Sequence, residues 1–430
     1  MIQHDPSTGH LHIDGVDVCQ IAEKFGTPLY LYAGDSIKSG IKSLKDALPS
    51  DLHIHYSIKA NPALAIARLI HTSGIDRVEI ASAGELCAAL ASGFDPSHII
   101  FAGPGKTDEE LHASINAGIA QINAESNAEI IRINTIANNL GVVQSVGIRI
   151  NPESQNASQG KIQTGGGVHK FGIDESKAQS AIELIQRSKQ LKFEGLHTML
   201  GSQVLNAEHM LRSCQRAIES AVNLSSSTNT PINTLNFGGG LGVAHHDDEP
   251  DFDLHHFGTQ LNQLINQARN NPTLKHTRFI LEPGRILVSK HGYYISTVID
   301  LKESVGQPIA ILDGGIHHAL LPITANSYQV TLANRPMDSS SDPITLGGPL
   351  CTSADQWRSQ VSLPHLQVGD LIVMHNSGAY GLTASMNNFL SKGTPAEILI
   401  YTGQCSSIRE RSTPQALLDG QHIPASLAGR

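Results

Sequence analysis

Lys59 follows the alternating run His53-Ile54-His55-Tyr56 and precedes Asn61-Pro62, so a primary amine stands where a short strand gives way to a turn. Most lysines are solvated surface charges. At a strand exit, instead of on a polar helix face, the amine can sit in a partly desolvated mouth, lose its proton and act as a Schiff-base nucleophile. Two later stretches complement it, Gly238-Gly239-Gly240 and Glu282-Pro283-Gly284-Arg285. Successive glycines let backbone N–H groups approach an anion, and an arginine adds a bidentate contact. A bare triple glycine is more often a flexible turn, so the signal comes from its pairing with Gly284-Arg285.

These residues need a scaffold that brings them to one place. From about residue 36 to 285 a short apolar run alternates with a helical segment, and the runs are His53 to Ser57, Val78 to Ala81, His98 to Ala102, Ala120 to Asn123, Val146 to Asn151, Glu194 to Met199, Thr234 to Phe237 and Arg278 to Glu282. Thr107-Asp108-Glu109-Glu110 reads as a capping box, and Asp174 precedes the amphipathic stretch Ala178 to Lys189. Eight such alternations predict a (β/α)8 TIM-like barrel with its chemistry at the carboxyl ends of the strands. The residues at the eight strand exits are, in order, Lys59, then Ser82 and Glu85, Gly103-Pro104-Gly105-Lys106, Glu125, Asn151-Pro152, Gly201-Ser202-Gln203, the triple glycine, and Glu282 to Arg285. The last two fall where such barrels commonly bind phosphate.

Outside the barrel the rhythm changes. Residues 1–35 alternate short apolar pieces with turns, and residues 286–430 hold runs such as Tyr293 to Ile299, Pro308 to Leu312, Leu371 to Met374 and Ala396 to Tyr401 with few helical signals. The expectation is an α/β chain in three parts: 1–35 as strands joining a C-terminal β-rich domain, 36–285 as the barrel, and 286–430 as that domain. Asn334 to Gly348 is expected to be a loop. The 430 residues carry a net charge of −9 and an isoelectric point near 6.2, with no basic run to track a phosphate backbone, which argues against nucleic acid. Five scattered cysteines without a Cys-x-x-Cys pair read as reduced thiols in a cytoplasmic protein, and the histidines follow no metal-binding spacing. Nothing in residues 1–30 resembles a secretory signal, and no window approaches the ~18 apolar residues of a membrane span.

A reactive lysine, a phosphate cradle and a carboxylate at one mouth suggest pyridoxal 5'-phosphate: Lys59 holding it as an imine, the glycines and Arg285 taking its phosphate, and Glu282 facing the pyridinium nitrogen. The alternative role for Glu282 is a structural salt bridge. Tyr56 to Asn61, Lys170-Phe171-Gly172-Ile173, the triple glycine, Glu282 to Arg285, Cys351 and Gly378-Ala379-Tyr380 resemble, in order and spacing, the fold-type III pyridoxal-phosphate decarboxylases, which include diaminopimelate and ornithine decarboxylases. The resemblance spans nearly the whole chain. It implies an alanine racemase-like barrel plus β domain and a homodimer with shared active sites. Lys59 and Cys351 would be catalytic, Cys351 as a proton donor reaching in from the partner subunit. The cofactor would be held by Lys59, His197, Met199, Ser202, Gly239, Gly240, Glu282, Gly284, Arg285 and Tyr380. Read without the resemblance, Cys351 is a buried core thiol.

Three departures bear on substrate. Met199 stands where diaminopimelate decarboxylases carry a ring-stacking histidine, Thr352 where they carry a glutamate for the distal amine, and Leu321-Pro322 where they carry an arginine-proline pair for the distal carboxylate. A site lacking both charges forfeits several kcal/mol of recognition for diaminopimelate. Together with Phe101 to Lys106, Asp313 to His318 and Cys351-Thr352, this points to a specialised branch acting on a free, conjugated or carrier-bound amino acid, as in siderophore or antibiotic pathways. Thr352 and His317 are the expected substrate contacts, and His317 and His318 are open to a second reading, packing under a loop. The competing readings are diaminopimelate decarboxylation to L-lysine, a racemase on the same fold, and a non-catalytic binding protein.

Overall fold

The eight apolar runs form eight parallel strands: β1 (His53–Ser57), β2 (Arg77–Ile80), β3 (Ile99–Phe101), β4 (Gln121–Ala124), β5 (Gln144–Asn151), β6 (Leu191–Thr198), β7 (Thr234–Asn236) and β8 (Arg278–Leu281). In the computed structural model each pairs with the next, and β8 closes onto β1 through Ile280 opposite His53 and Leu281 opposite Ile54. The structure describes residues 2–152, 162–163, 167–199, 201–245, 248–324, 328–337 and 341–427. Contacts divide the chain into two compact units, Ile37–Ser289 and Met1–Ser36 with Lys290–Arg430.

Strands buried on both faces read as short apolar runs, which is why the barrel was legible. The helices between them start on side-chain caps: Ser82 accepts from Glu85 N, Ser126 from Glu129 N, and Thr107 with Glu110 forms the expected reciprocal box. Asp174 does not cap the helix Ala178–Arg187. It ends a two-residue strand, Ile173–Asp174, paired parallel with β5. The barrel's interior is unusually polar, with His55, Gln121, Asn123, Arg149, Glu194, His197, Asn236 and Glu282 all buried.

In the other unit the strands Gln356–Pro364, Ser341–Gly347, Gln307–Leu312, Gly292–Ser304, Leu29–Ala33, Ala396–Tyr401 and Gln404–Arg409 lie in that order in one sheet. Leu29–Ala33 is wholly buried, antiparallel to Gly292–Ser304 and parallel to Ala396–Tyr401. Tyr30 donates to the carbonyl of His318 at 2.8 Å and Tyr32 to Glu397 at 2.6 Å.

Three local expectations are corrected. Val18–Phe25 is a helix, not strand: Asp17 caps it by accepting from Cys19 N, and Gly26 ends it at φ +70°. Ser341–Gly347, read as loop because of its serine and glycine flanks, is a strand held on both sides, Ile344 opposite Val361 and Leu346 beside Ala310. Ile316–Thr324 is helical in a stretch read as β-rich. Among the described residues no helix is long and apolar enough to cross a membrane.

Candidate active site

At the carboxyl end of β1, Lys59 lies in a short 3-10 turn, Ile58–Ala60, immediately beyond the strand. Ser57 and Glu79 are register partners on β1 and β2, so both point into the mouth beneath the amine. The Lys59 ammonium donates to both oxygens of Glu79 at 2.8 and 2.7 Å, and the Ser57 hydroxyl donates to Oε2 at 2.7 Å. Glu79 is buried, whereas the Lys59 side chain is 40 % exposed. The side chain is thus partly withdrawn from solvent, and the carboxylate within hydrogen-bond reach favours the charged amine until it reacts.

Across the mouth, His197 of β6 is the register partner of Asn236 on β7, and Asn236 that of Ile280 on β8, two residues before Glu282. This alternation points all three side chains inward. Asn236 Nδ2 donates to Glu282 Oε1 at 2.6 Å, and its Oδ1 accepts from Gly238 N at 2.8 Å, so one amide ties the carboxylate to the glycine turn. His197 Nε2 stands 3.3 Å from Glu282 Oε2, at ion-pair distance but not aligned for a hydrogen bond. Burial pushes the Glu282 carboxyl up, but the His197 and Lys59 charges and the Asn236 hydrogen bond outweigh it and hold it down at about 2. Glu282 is thus a buried, ionised carboxylate that feels the Lys59 charge.

The glycine turn permits close approach of backbone. Gly240 has φ +106°, and a side chain there would run into the carbonyl of Gly201, while one on Gly239 would strike the carbonyl of Glu282. Gly284 brings the exit of β8 against the lysine segment, since a Cβ there would lie 2.9 Å from the Ser57 carbonyl and the Ala60 methyl. Arg285 opens a four-residue helix directly after it. Met199 places its sulfur 3.3 Å from Gly239 N, and Ser202 sits half-buried in the strand Gly201–Ser202. Leu200 of that segment lies outside the described residues.

Other residues at this mouth are structural. Glu125 accepts from Gly103 N and Gly172 N, each at 2.9 Å, and pairs with Arg149 at 3.3 Å. Lys106 is buried on Glu129. Glu85 accepts from Ala81 N at 2.7 Å, and burial together with the Glu79 charge raises it to about 6. Attention to strand exits alone overlooked Glu79 and Asn236, which lie within the runs. Their signal was available, because a carboxylate or amide inside an otherwise apolar strand has to face something polar.

The remaining expected residues belong to the sheet unit. Cys351 is exposed, correcting the reading of it as a buried thiol. Thr352 Oγ1 accepts from Ala354 N at 3.3 Å within a turn. The Asp355 carboxylate, also overlooked, accepts from Ile316 N at 2.8 Å and Leu350 N at 2.9 Å, tying the His317 helix to the segment before Cys351. His318 packs internally, its Nδ1 3.0 Å from the Tyr294 hydroxyl and Nε2 2.9 Å from the carbonyl of Gly393. His317 lies against it, ring centroids 3.7 Å apart and planes tilted by 40°, buried with Nδ1 unpartnered. Burial holds the two imidazoles down at about 4 and about 3, so both are neutral. Tyr380 is half-buried in a left-handed turn at φ +52°.

His10, Asp17 and Cys19 bring three possible metal-ligand atoms within 4.8 Å of one another. Asp17 is committed to capping the helix, and burial holds the Cys19 thiol up at about 12, which disfavours the thiolate a metal needs.

Comparison with known proteins meets this geometry directly. The family model for the pyridoxal-dependent decarboxylases' pyridoxal binding domain matches residues 34–289. The chain belongs to the pyridoxal-dependent decarboxylase family. It is 33 % identical over 422 residues to the L-glutamyl-[BtrI acyl-carrier protein] decarboxylase of Niallia circulans, covering 96 % of this chain and 97 % of that one. It is 32 % identical over 430 residues to the diaminopimelate decarboxylase of Methanothermobacter thermautotrophicus, covering 98 % of each. The crystal structure of diaminopimelate decarboxylase from M. jannaschii superposes with a TM-score of 0.92 at 29 % identity, covering 99 % of this chain and 98 % of that one. The decarboxylase is a carboxy-lyase for amino acids that uses pyridoxal phosphate. The residues at the mouth suit that cofactor: a buried ionised carboxylate, a His197 ring with neither nitrogen hydrogen-bonded among the described residues, and glycines that let backbone donors close in.

Proposed function

We propose that this decarboxylase removes the α-carboxylate of an amino acid presented as a conjugate or on a carrier, in preference to free diaminopimelate. One observation carries the substrate reading: the two positions that would charge-pair with diaminopimelate's distal groups hold Thr352 and Leu321, and the nearby histidines are neutral through burial. A neutral subsite suits a side chain whose distal group is already acylated or esterified, because no unpaired charge is then buried. The relative that acts on a glutamyl carrier protein supports the same direction.

When bound, pyridoxal phosphate supplies an electron sink for the pair left at the α-carbon as carbon dioxide departs. Lys59 would carry it, with Glu79 positioned to hold the ammonium and to receive its proton when the amine reacts. Glu282 would accept a hydrogen bond from the protonated ring nitrogen without itself taking the proton, as its low proton affinity requires. Ser202, Gly239, Gly240, Gly284, Arg285 and Tyr380 would hold the phosphate, and His197 and Met199 would bear on the ring. Cys351 of the partner subunit would return a proton to the α-carbon in a homodimer, and its exposure in a single chain suits that role.

Carbon dioxide release from free diaminopimelate, free glutamate, and glutamyl- and citryl-type conjugates, with and without a carrier protein, tests the reading. A conjugate should exceed free diaminopimelate in kcat/KM by at least tenfold. Diaminopimelate as the best substrate overturns it, and loss of optical activity without gas release would favour the racemase.

A further inference from the structure

The opposite, amino-terminal mouth of the barrel holds a second polar site. A cavity of about 240 Å³ opens there, lined by His53 and His55 of β1, Arg77 of β2, Lys192 and Glu194 of β6 and Arg278 of β8. That volume far exceeds the ~10–15 Å³ one water requires and lies below the ~300–1,000 Å³ of drug-sized sites, so it suits a compound of a few heavy atoms. β1 is five residues long, which separates this mouth from Lys59 by roughly 15 Å.

The charges do not cancel within it. Glu194, with a side chain 7 % exposed, takes Arg278 on Oε1 at 2.5 Å and stands 3.2 Å from Lys192 through Oε2, so one carboxylate faces two cations. Arg77 has no hydrogen-bonded or ion-paired side-chain partner among the described residues. The two acids whose charges reach His53 are engaged elsewhere, Asp51 with Arg269 and Asp76 with His98. His53 registers the resulting field: after burial, Arg77 and Arg278 are what most disfavour its charged form. His55, only 2 % exposed, lines the cavity with its Nδ1 unpartnered, which is a rare state for a buried polar atom.

We propose that the amino-terminal mouth of the barrel binds a small oxyanion, phosphate or carboxylate, gripped by Arg77 and Lys192 and met by the imidazole of His55. A planar guanidinium on β2 and a mobile ammonium on β6, which lies across the barrel from it, can meet the oxygens of such an ion from opposite sides. The buried imidazole satisfies its open nitrogen by donating to the same group.

The test is calorimetric titration of the cofactor-loaded enzyme with sodium phosphate and, separately, sodium malonate, against sodium chloride at matched ionic strength. Expected is one saturable site per chain for at least one of the two, with cofactor absorbance unchanged. Phosphate alone, malonate alone or both identify which oxyanion is accepted. Arg77→Gln and Lys192→Gln should each weaken binding at least tenfold, while Lys302→Gln, at the exposed end of the strand Gly292–Ser304 in the other unit, should leave it unaltered. Should Arg77→Gln not fold, Lys192→Gln decides alone, its side chain being 60 % exposed. Absence of saturable heat with both ions, wild-type affinity in the variants, or loss of cofactor absorbance on binding would each overturn the proposal.

Discussion

Two lysine–glutamate pairs stand at the same barrel mouth and do opposite things. Lys59 meets Glu79 at 2.7 Å with its side chain 40 % exposed, whereas Lys106 meets Glu129 at 2.6 Å with its side chain 1 % exposed. Lys106 also donates to the carbonyls of Gly103 at 2.7 Å and Asn123 at 2.8 Å, which uses all three of its N–H bonds. Such an ammonium is a rivet between two strand exits, and it has nothing left for a ligand. Lys59 meets its buried carboxylate at an open mouth with its own side chain 40 % exposed, so water can take the place of the ammonium on Glu79 when the amine is exchanged or removed. An ion pair therefore says little about whether a lysine is chemical or structural. The difference lies in whether solvent reaches the amine, which it does at Lys59 and does not at Lys106.

Removing each amine in turn should separate the two roles most strongly. Lys59→Ala should lower turnover roughly 10³-fold or more, as removal of a covalent catalyst does. Lys106→Ala should instead cost about 3–5 kcal/mol of stability by leaving Glu129 buried and unpaired. Carbon dioxide release and urea melts on both variants check it, with Lys59→Ala expected to lose less stability than Lys106→Ala. Comparable turnover in the two, or equal unfolding midpoints, would remove the distinction.

Glu282 extends the contrast, being a second carboxylate that feels Lys59 but never pairs with it directly. Glu282→Gln keeps the shape and the Asn236 contact while removing the charge, and kcat should fall about 10²-fold, the usual scale for one preorganised electrostatic contact. With a folded-state value of about 2, below the ordinary 4.5, this group stabilises the fold fully above about 4.5 and loses that contribution as pH falls through 2. Acid melts should accordingly be flatter in Glu282→Gln than in the wild type, and the wild-type rate profile should show no step from Glu282 above pH 3. A bell-shaped profile whose acid limb vanishes with this substitution would contradict the assignment.

Much of the barrel was legible because its strands are short, buried on both faces and separated by capped helices: His53–Ser57 appears with its bounds unchanged, and the Thr107 box forms as its spacing demands. The β-rich unit was harder. Val18–Phe25 is a helix fixed by a single aspartate cap, and Ser341–Gly347 is a strand only because Gln307–Leu312 and Gln356–Pro364 flank it, which is tertiary pairing that local composition does not encode. At the mouth, strand ends located Lys59 and Glu282, but Glu79 and Asn236 stayed hidden inside apolar runs, since inward alternation matters only once the strand's register is known. Lys106 stood among the strand-exit residues beside Lys59, and only its burial on Glu129 reveals the rivet.

The smallest effect concerns Glu85, one turn beyond the Lys59 pair. Its carboxyl is raised to about 6, first by burial and then by the Glu79 charge, against the opposing pull of Ala81 N and Lys59. A carboxyl with a folded-state value above its ordinary 4.5 favours the fold most below pH 4.5, and that contribution is lost as pH rises through 6. Glu85→Gln retains an acceptor for Ala81 N but cannot ionise, so stability at pH 8 should rise by about 1 kcal/mol while stability at pH 4.5 barely moves. Urea melts at the two pH values measure this directly. The same substitution in a Lys59→Ala background should gain more, because Glu79 is then no longer offset by the ammonium and repels Glu85 harder. An equal gain in both backgrounds would mean that the Lys59 charge does not reach Glu85, and that the open pair is as electrically isolated as the buried one.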